Sequence, residues 1–161
     1  MNKAFLREPE RTADYCPRCG SQGEPVGRET LQEFLTEAQR RSLAEPANFC
    51  PSPQCDVVYF DSFERTLLTG DLPRPVYPKD PAAPLCACLG LTAEDIERDV
   101  AEGVTTRVKA AGEHAKSPAA RCRQLAATGR PCVALVQQYY MQCVQRKRWV
   151  MARPAAATKL V

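Results

Sequence analysis

The sequence predicts an α+β protein in two parts, a small mixed module followed by an all-helical domain. The chain has 161 residues, of which 44% are hydrophobic and 25% charged, a composition typical of a folded protein. Residues 73–84 hold five of the 14 prolines and separate the nine cysteines into groups of four and five. Because this composition favours extended, polyproline-like backbone, we expect a linker here. The expected domains are therefore residues 1–72 and 85–150, with a frayed tail over 151–161.

Charge and hydropathy exclude several classes of function. The first eleven residues, MNKAFLREPER, are charged and lack the apolar stretch of a secretory signal, so we expect a cytoplasmic protein with reduced cysteines. No apolar run approaches the roughly 18 residues that span a bilayer, which argues against membrane insertion. Residues 1–72 carry 8 basic and 12 acidic side chains, and this negative balance argues against nucleic-acid binding by the first part. Without a nucleophile–base constellation, we do not expect an enzyme.

The first part shows one helical pattern and one strand pattern. Apolar residues recur at helical spacing from Leu31 to Ala38, which predicts one amphipathic helix over residues 29–44, ended by Pro46. Residues 56–60 form a short β-prone run directly after Cys55. Together these elements predict a small α+β module.

The second part reads as helices only. Thr92 and Asp95 fit a capping box that opens a helix ending near Gly103, and residues 105–115 fit a second helix. Ser117 followed by Pro118 resembles the start of a third helix ending near Gly129. The last helix should run from about residue 133 to 149, with one face formed by Val133, Val136, Tyr140, Cys143 and Val144.

The cysteines of the first part have the spacing of a metal site. They form two short pairs in the pattern C-x2-C-x30-C-x4-C, namely Cys16, Cys19, Cys50 and Cys55. Each short turn can point two sulfurs at one Zn²⁺, and two turns complete a tetrahedron of Zn–S bonds of about 2.3 Å. A closed shell of four thiolates indicates a structural, zinc-ribbon-like module. Two alternatives remain open: unligated core cysteines or a redox pair, and replacement of one thiolate by Asp56.

The cysteines of the second part have a wider spacing, C-x-C-x33-C-x9-C, formed by Cys86, Cys88, Cys122 and Cys132. The C-x-C pair is unusual for a mononuclear zinc knuckle, whereas a [2Fe-2S] cluster spreads four thiolates over two irons. Two predicted helices begin just after Cys88 and at Cys132, so their positive N-terminal ends would face an anionic cluster. Cations at Arg121, Arg123 and Arg130 offer further stabilisation of negative charge.

Three features lie outside both sets. Cys143 falls on the apolar stripe of the last helix and is interpreted as a small buried hydrophobic residue. His114, the single histidine, is expected at a solvated loop or helix end. The basic run Arg146–Arg148 is interpreted as a solvated helix end, with contact to an acidic partner or to nucleic acid as the alternative.

These motifs resemble a known family. The second set, followed by L-G-L-T-A-E-D-I, resembles the bacterioferritin-associated-ferredoxin-like [2Fe-2S] domain. Its fusion to the module C-P-R-C-G…F-C-P-S-P-Q-C-D-V-V-Y-F resembles the N-terminal part of CopZ-type copper chaperones over about residues 14–145. The resemblance implies a helical domain that holds the cluster on the second set, docked to a zinc module that uses the first. Such chaperones usually add a heavy-metal-associated domain with its own C-x-x-C. Here the single C-x-x-C is Cys16–Cys19, so we expect a chaperone-like accessory without that domain.

The leading hypothesis is a metallochaperone-like redox protein in the handling of copper or another heavy metal, with one-electron transfer by a [2Fe-2S] cluster and a structural zinc. The expected partner is a heavy-metal-binding chaperone or a metal-transporting ATPase. The alternative is an iron-sulfur or metal sensor, or an adaptor that docks a metal transporter or an iron store.

Overall fold

The computed structural model describes residues 14–153 and divides them into two compact units. The first contains residues 14–83 together with Arg123–Arg130, and the second contains Pro84–Cys122 and residues 131–153. In chain order the elements are β1 (Glu24–Val26), α1 (Arg28–Phe34), α2 (Glu37–Ser42), β2 (Ala47–Phe49), β3 (Val57–Asp61), β4 (Thr66–Leu68), α3 (Ala93–Glu102), α4 (Thr106–Lys116), α5 (Cys122–Leu125) and α6 (Val133–Ala152). The fold is mixed α/β, with a four-stranded sheet followed by helices.

The sheet of the first unit is antiparallel throughout, in the order β1-β2-β3-β4. All five residues of β3 are buried, which explains the continuous apolar run V-V-Y-F that predicted this strand. Phe49 on β2 lies opposite Tyr59 on β3, and their rings meet edge to face with centroids 6.0 Å apart. This aromatic pair belongs to the main apolar core of the unit.

Two expectations for this unit are corrected. The single helix over residues 29–44 is two short helices, because Thr36 stops one and starts the next: its side chain accepts from the Gln39 N–H in a capping box. The proline-rich stretch is not a free linker. Val76 and Ala83 are only 5% and 2% exposed, and residues 73–83 belong to the first unit. Burial of these apolar side chains outweighs the preference of the prolines for extended chain.

The second unit is helical, as the sequence predicts. Thr92 caps α3 through a reciprocal capping box with Asp95, and Gly103 ends that helix at φ 71°. Helices α3, α4 and α6 pack on one another around buried Ile96 and Val136. No helix among residues 14–153 is both long enough and apolar enough to cross a membrane.

The predicted third helix, residues 117–129, is wrong. Ser117 ends α4 instead of starting a helix, because its N–H and its hydroxyl both donate to the His114 carbonyl. In that region only the four residues of α5 are helical. The frayed tail expected over 151–161 begins too early, because residues 151 and 152 belong to α6. The rest of that tail from residue 154 and the charged N-terminus lie outside the described residues and cannot be compared.

Candidate metal centres

The first unit brings the four cysteines of the first set together. Their sulfur atoms all lie within 4.8 Å of one another, with Cys16 Sγ 3.9 Å from Cys55 Sγ and Cys19 Sγ 3.5 Å from Cys50 Sγ. Sulfurs on a tetrahedron with bonds of about 2.3 Å would be about 3.8 Å apart. The residues therefore fit a Zn²⁺ ion with four thiolate ligands.

Two tight turns position these sulfurs. In the first, Gly20 donates its N–H to the Cys16 carbonyl and has φ 72°, a left-handed conformation that costs glycine nothing. The second turn joins β2 to β3: Cys50 directly follows β2 and donates its N–H to the Val58 carbonyl, while Cys55 lies two residues before β3. The sheet ladder therefore fixes where the second pair of sulfurs points.

Burial and hydrogen bonding give the four thiols different pKa values. The hydrogen bond with the Ser21 side chain lowers the pKa of Cys19 to about 6. Burial raises the pKa of Cys50 to about 12 and also raises that of Cys55. A metal ion must displace protons from these buried thiols, and its positive charge offsets the cost of their charged form.

Charged side chains border the site without joining it. Asp56, the alternative ligand, forms an ion pair with Arg18 and is outside the group of converging ligands. Lys79 donates to the Ser52 carbonyl at 2.7 Å, and its charge acts to lower the pKa of Cys50 against the larger effect of burial. Lys79 lies in the proline-rich stretch, where nothing in the sequence pattern links it to the cysteines.

The second set is arranged differently, in the second unit. Among residues 14–153, the first set is the one group of three or more potential ligands that all converge within 4.8 Å, so the second set does not form such a tetrahedron. Its thiols are nevertheless close enough to shift one another's pKa: Cys132 acts on Cys86, and both Cys88 and Cys86 act on Cys122.

Local structure explains how these thiols are placed. Gly90, at φ 63°, turns the chain back so that Cys86 and Leu91 form a β-bridge, which presents Cys86 and Cys88 on one loop. Cys122 begins α5, and Cys132 is the N-cap residue of α6. The Cys86, Cys122 and Cys132 residues are at most 9% exposed. The set is therefore a mostly buried group of thiols beside a helix N-terminus.

The electrostatics of this set favour a thiolate at Cys86. Its hydrogen bond with Cys132, together with backbone N–H groups of Leu89 and Cys88, lowers the pKa of Cys86 to about 6 against the opposing effect of burial. The same bond raises the pKa of Cys132, and burial raises that of Cys122.

The remaining candidates fall beside these sites. His114 lies in the last turn of α4 and is half-buried, not solvated; its Nε2 atom is buried and has no hydrogen-bond partner among the described residues. Arg130 lies 4.0 Å from Glu24, so its charge already has a partner. Cys143 is buried as expected, with Arg146 Nη2 2.9 Å from its sulfur.

Comparison with known proteins supports the first site. A family model described as a zinc binding domain, zf_CopZ, matches residues 13–73. The chain is also similar to the N-terminal domain of CopZ from Archaeoglobus fulgidus, with 21% sequence identity and a TM-score of 0.63 over 77% of this chain and 95% of that one. No curated protein matches the sequence. The chain thus contains a zinc-binding domain, and at this identity the structural similarity shows a shared fold.

Proposed function

We propose that this chain is a cytoplasmic iron-sulfur and zinc protein that takes part in heavy-metal handling as a one-electron carrier, not as an enzyme. In this proposal, Cys86, Cys88, Cys122 and Cys132 hold a [2Fe-2S] cluster, and the zinc on the first set stabilises the fold. The similarity to a CopZ domain supports a role in handling metals.

The observation that carries the proposal is that the four sulfurs of the second set do not converge on one point as those of the first set do. In a mononuclear site all four sulfurs converge on one ion, as they do in the first set. In a [2Fe-2S] cluster each iron takes two thiolates, so the ligands separate into two pairs. The second set, whose thiols shift one another's pKa without converging within 4.8 Å, fits the wider arrangement.

The chain supplies groups suited to an anionic cluster. Backbone N–H groups of Cys88 and Leu89 donate to the Cys86 sulfur, and Cys132 lies at the N-terminus of the 20-residue helix α6. A bound cluster would supply a one-electron redox centre at these thiols. Once reduced by an external electron donor, it would pass one electron to Cu²⁺ and give Cu⁺, which thiolate ligands prefer. The acceptor of the product metal would be a heavy-metal-binding chaperone or a metal-transporting ATPase.

Purification under anaerobic conditions tests the proposal. We expect about two iron and one zinc per chain, visible absorption that bleaches with dithionite, and an EPR signal of a reduced [2Fe-2S] cluster. Titration of the reduced protein with Cu²⁺ should restore the oxidised spectrum at about one Cu²⁺ per cluster. A colourless protein with two zinc ions would overturn the cluster assignment.

A second candidate, an adaptor that docks a metal transporter or an iron store, is favoured by one surface of the second unit. A cavity of about 450 Å³ between α3 and α6 is lined by apolar side chains, by the basic residues Arg146 and Lys147, and by Glu97, which pairs with Arg146. Val150 and Met151 at its edge are 68% and 74% exposed. A cluster that Cu²⁺ leaves reduced would favour this candidate over the electron carrier.

A further inference from the structure

The segment that joins two cysteines of the second set is held by the first unit. Cys122 and Cys132 are separated by nine residues, and eight of these, Arg123–Arg130, belong to the first unit. The Tyr59 hydroxyl donates to the Ala127 carbonyl at 2.8 Å, and the Thr30 hydroxyl donates to the Arg123 carbonyl. One bond lies at the start of the segment and the other near its end.

Both donors are fixed by burial. The Tyr59 and Thr30 residues are 0% and 1% exposed, and Ala127 packs against the same apolar core as Tyr59. A buried hydroxyl left without a partner is costly, so each donor stabilises the position of the carbonyl it contacts. The segment is therefore attached at defined points.

The close approach of the segment also depends on Gly129. This residue has φ 68°, and a Cβ atom there would lie 2.5 Å from Thr30 Oγ1, closer than real Cβ atoms come. Only glycine at this position allows the segment to come this close to Thr30.

Strand β3 links this attachment to the first cysteine set. Val57 and Phe60 on β3 pack with Cys16, Cys50 and Cys55, while Tyr59 belongs to the neighbouring apolar core. The strand that is anchored beside the candidate zinc site therefore also carries the phenol that holds the segment.

We propose that Tyr59 and Thr30 are positioning residues for the second cysteine set, because they fix the Arg123–Arg130 segment and so set the spacing of Cys122 and Cys132. The proposal rests on the proposed function for the cluster itself. It assigns the zinc-binding unit a role in retaining that cluster, in addition to its own stability.

The first test uses the holoprotein with Tyr59→Phe, Thr30→Val and the double variant. Groups that orient metal ligands typically contribute tenfold or more to metal retention, so we expect each variant to lose cluster absorbance to an iron chelator about tenfold faster than the wild type, with zinc content unchanged. The reduction potential should shift as well. Tyr140→Phe and Thr66→Val are the matched controls, since Tyr140 donates to the Val104 carbonyl within the second unit and Thr66 is exposed on β4.

A second readout does not need the cluster. In iron-free, zinc-loaded protein, Tyr59→Phe should raise the rate of alkylation of Cys122 and Cys132 about fivefold, with Cys143 as the internal reference. If the wild type binds no iron, the proposed function fails, and this rate still decides whether the segment is held. Alkylation and chelation rates within twofold of the wild type would overturn the proposal.

A third variant is needed because substitution of the core residue Tyr59 or Thr30 could unfold the first unit. Gly129→Ala alters only the segment and pushes its backbone from Thr30, so it should accelerate cluster loss in the same way. Gly103→Ala, which has a similar positive φ but where an added Cβ meets nothing within 4 Å, is its control. Equal chelation rates for these two variants would contradict the proposal.

Discussion

The two cysteine sets contain the same number of sulfurs, yet they are built in different ways. The first converges on one point, because two tight turns in a sheet each supply a pair of ligands. The second does not converge in this way, and its thiols come from one loop, from the first residue of α5 and from the N-cap of α6. Each pair of ligands in the first site comes from one short turn. The second site depends on two helices and on the Arg123–Arg130 segment, which belongs to the first unit.

The sets also share one feature. Each contains a thiol whose pKa is lowered to about 6, Cys19 or Cys86, together with buried partners whose pKa is raised. In each set one thiol therefore favours its charged form, and the buried thiols with a raised pKa must give up protons when a metal ion binds.

The largest expected effect comes from removing one ligand of each set. Cys50→Ser should lose zinc and unfold the first unit, since structural zinc contributes roughly 10 kcal/mol to the folding of small domains. Cys86→Ser should lose the iron-dependent absorbance but retain zinc and the sheet. Metal analysis and far-UV circular dichroism measure both outcomes, with Cys143→Ala as a control outside the two sets. Retention of full zinc by Cys50→Ser would show that the first set is not a closed site.

A smaller effect is expected at the buried aspartate that each unit contains. Asp61 accepts hydrogen bonds from three backbone N–H groups and from Arg65, and Asp99 accepts two such bonds and one from Arg107. An asparagine keeps one acceptor oxygen but loses the charge that pairs with the arginine. Each Asp→Asn variant should lower the free energy of unfolding of its own unit by about 2–4 kcal/mol.

Hydrogen exchange resolved along the chain separates these two effects. Asp61→Asn should increase exchange in β2 and β3, and Asp99→Asn in α3 and α4. Equal increases throughout the chain in both variants would show that the units unfold together, which would weaken the contrast between them.

A glycine in the loop of each set allows a matched pair of substitutions, each expected to cost about 1–2 kcal/mol. Gly20 and Gly90 both have positive φ, and an added Cβ at either would meet nothing within 4 Å, so alanine introduces backbone strain alone. Gly20→Ala should weaken zinc binding about tenfold and Gly90→Ala should weaken iron retention about tenfold, as measured by chelator competition. Asparagine, which tolerates this conformation, should recover most of each loss. Unchanged iron retention in Gly90→Ala would show that this loop adapts to its ligand.

Local signals predicted much of this fold. The knuckle spacing of the first set, the strand after Cys55, the capping box at Thr92 and the helix end at Gly103 all depend on neighbours within a few residues. The predictions that failed concerned segments whose structure depends on tertiary contacts or on competing local hydrogen bonds. Ser117 can cap the end of one helix or the start of another, and only the structure shows that it bonds to the His114 carbonyl.

The same division applies to the sites. Spacing alone identified the first set, since each pair closes within one turn. It could not identify Tyr59, which looks like any core residue of a buried strand, or Lys79, which lies within a stretch that reads as a linker. These side chains reach their partners across about 70 and 30 residues of sequence, beyond the range of any local pattern.

The smallest expected effect concerns Asp95, at the start of the helix that follows Cys88. Backbone and side-chain hydrogen bonds from Thr92 lower the pKa of Asp95, so its charged form is favoured in the folded state. A depressed pKa adds stability above the unfolded value of about 4, and this stability is lost as the pH falls through the folded value. Asp95→Asn should therefore cost about 0.5–1 kcal/mol in urea unfolding followed by circular dichroism.

The pH dependence of the unfolding free energy distinguishes stabilisation by the charge of Asp95 from stabilisation by its hydrogen bonds at the helix start. The difference between wild type and variant should stay constant from pH 8 to pH 5 and decrease below about pH 4, because the carboxylate is ionised in both states at the higher values. Asp71→Asn, an exposed carboxylate that accepts from the Leu68 N–H in the first unit, is the matched control. It should leave α3 and the iron content unchanged. A difference for Asp95→Asn that vanishes already at pH 5 would show that its charge does not stabilise the helix beside the second set.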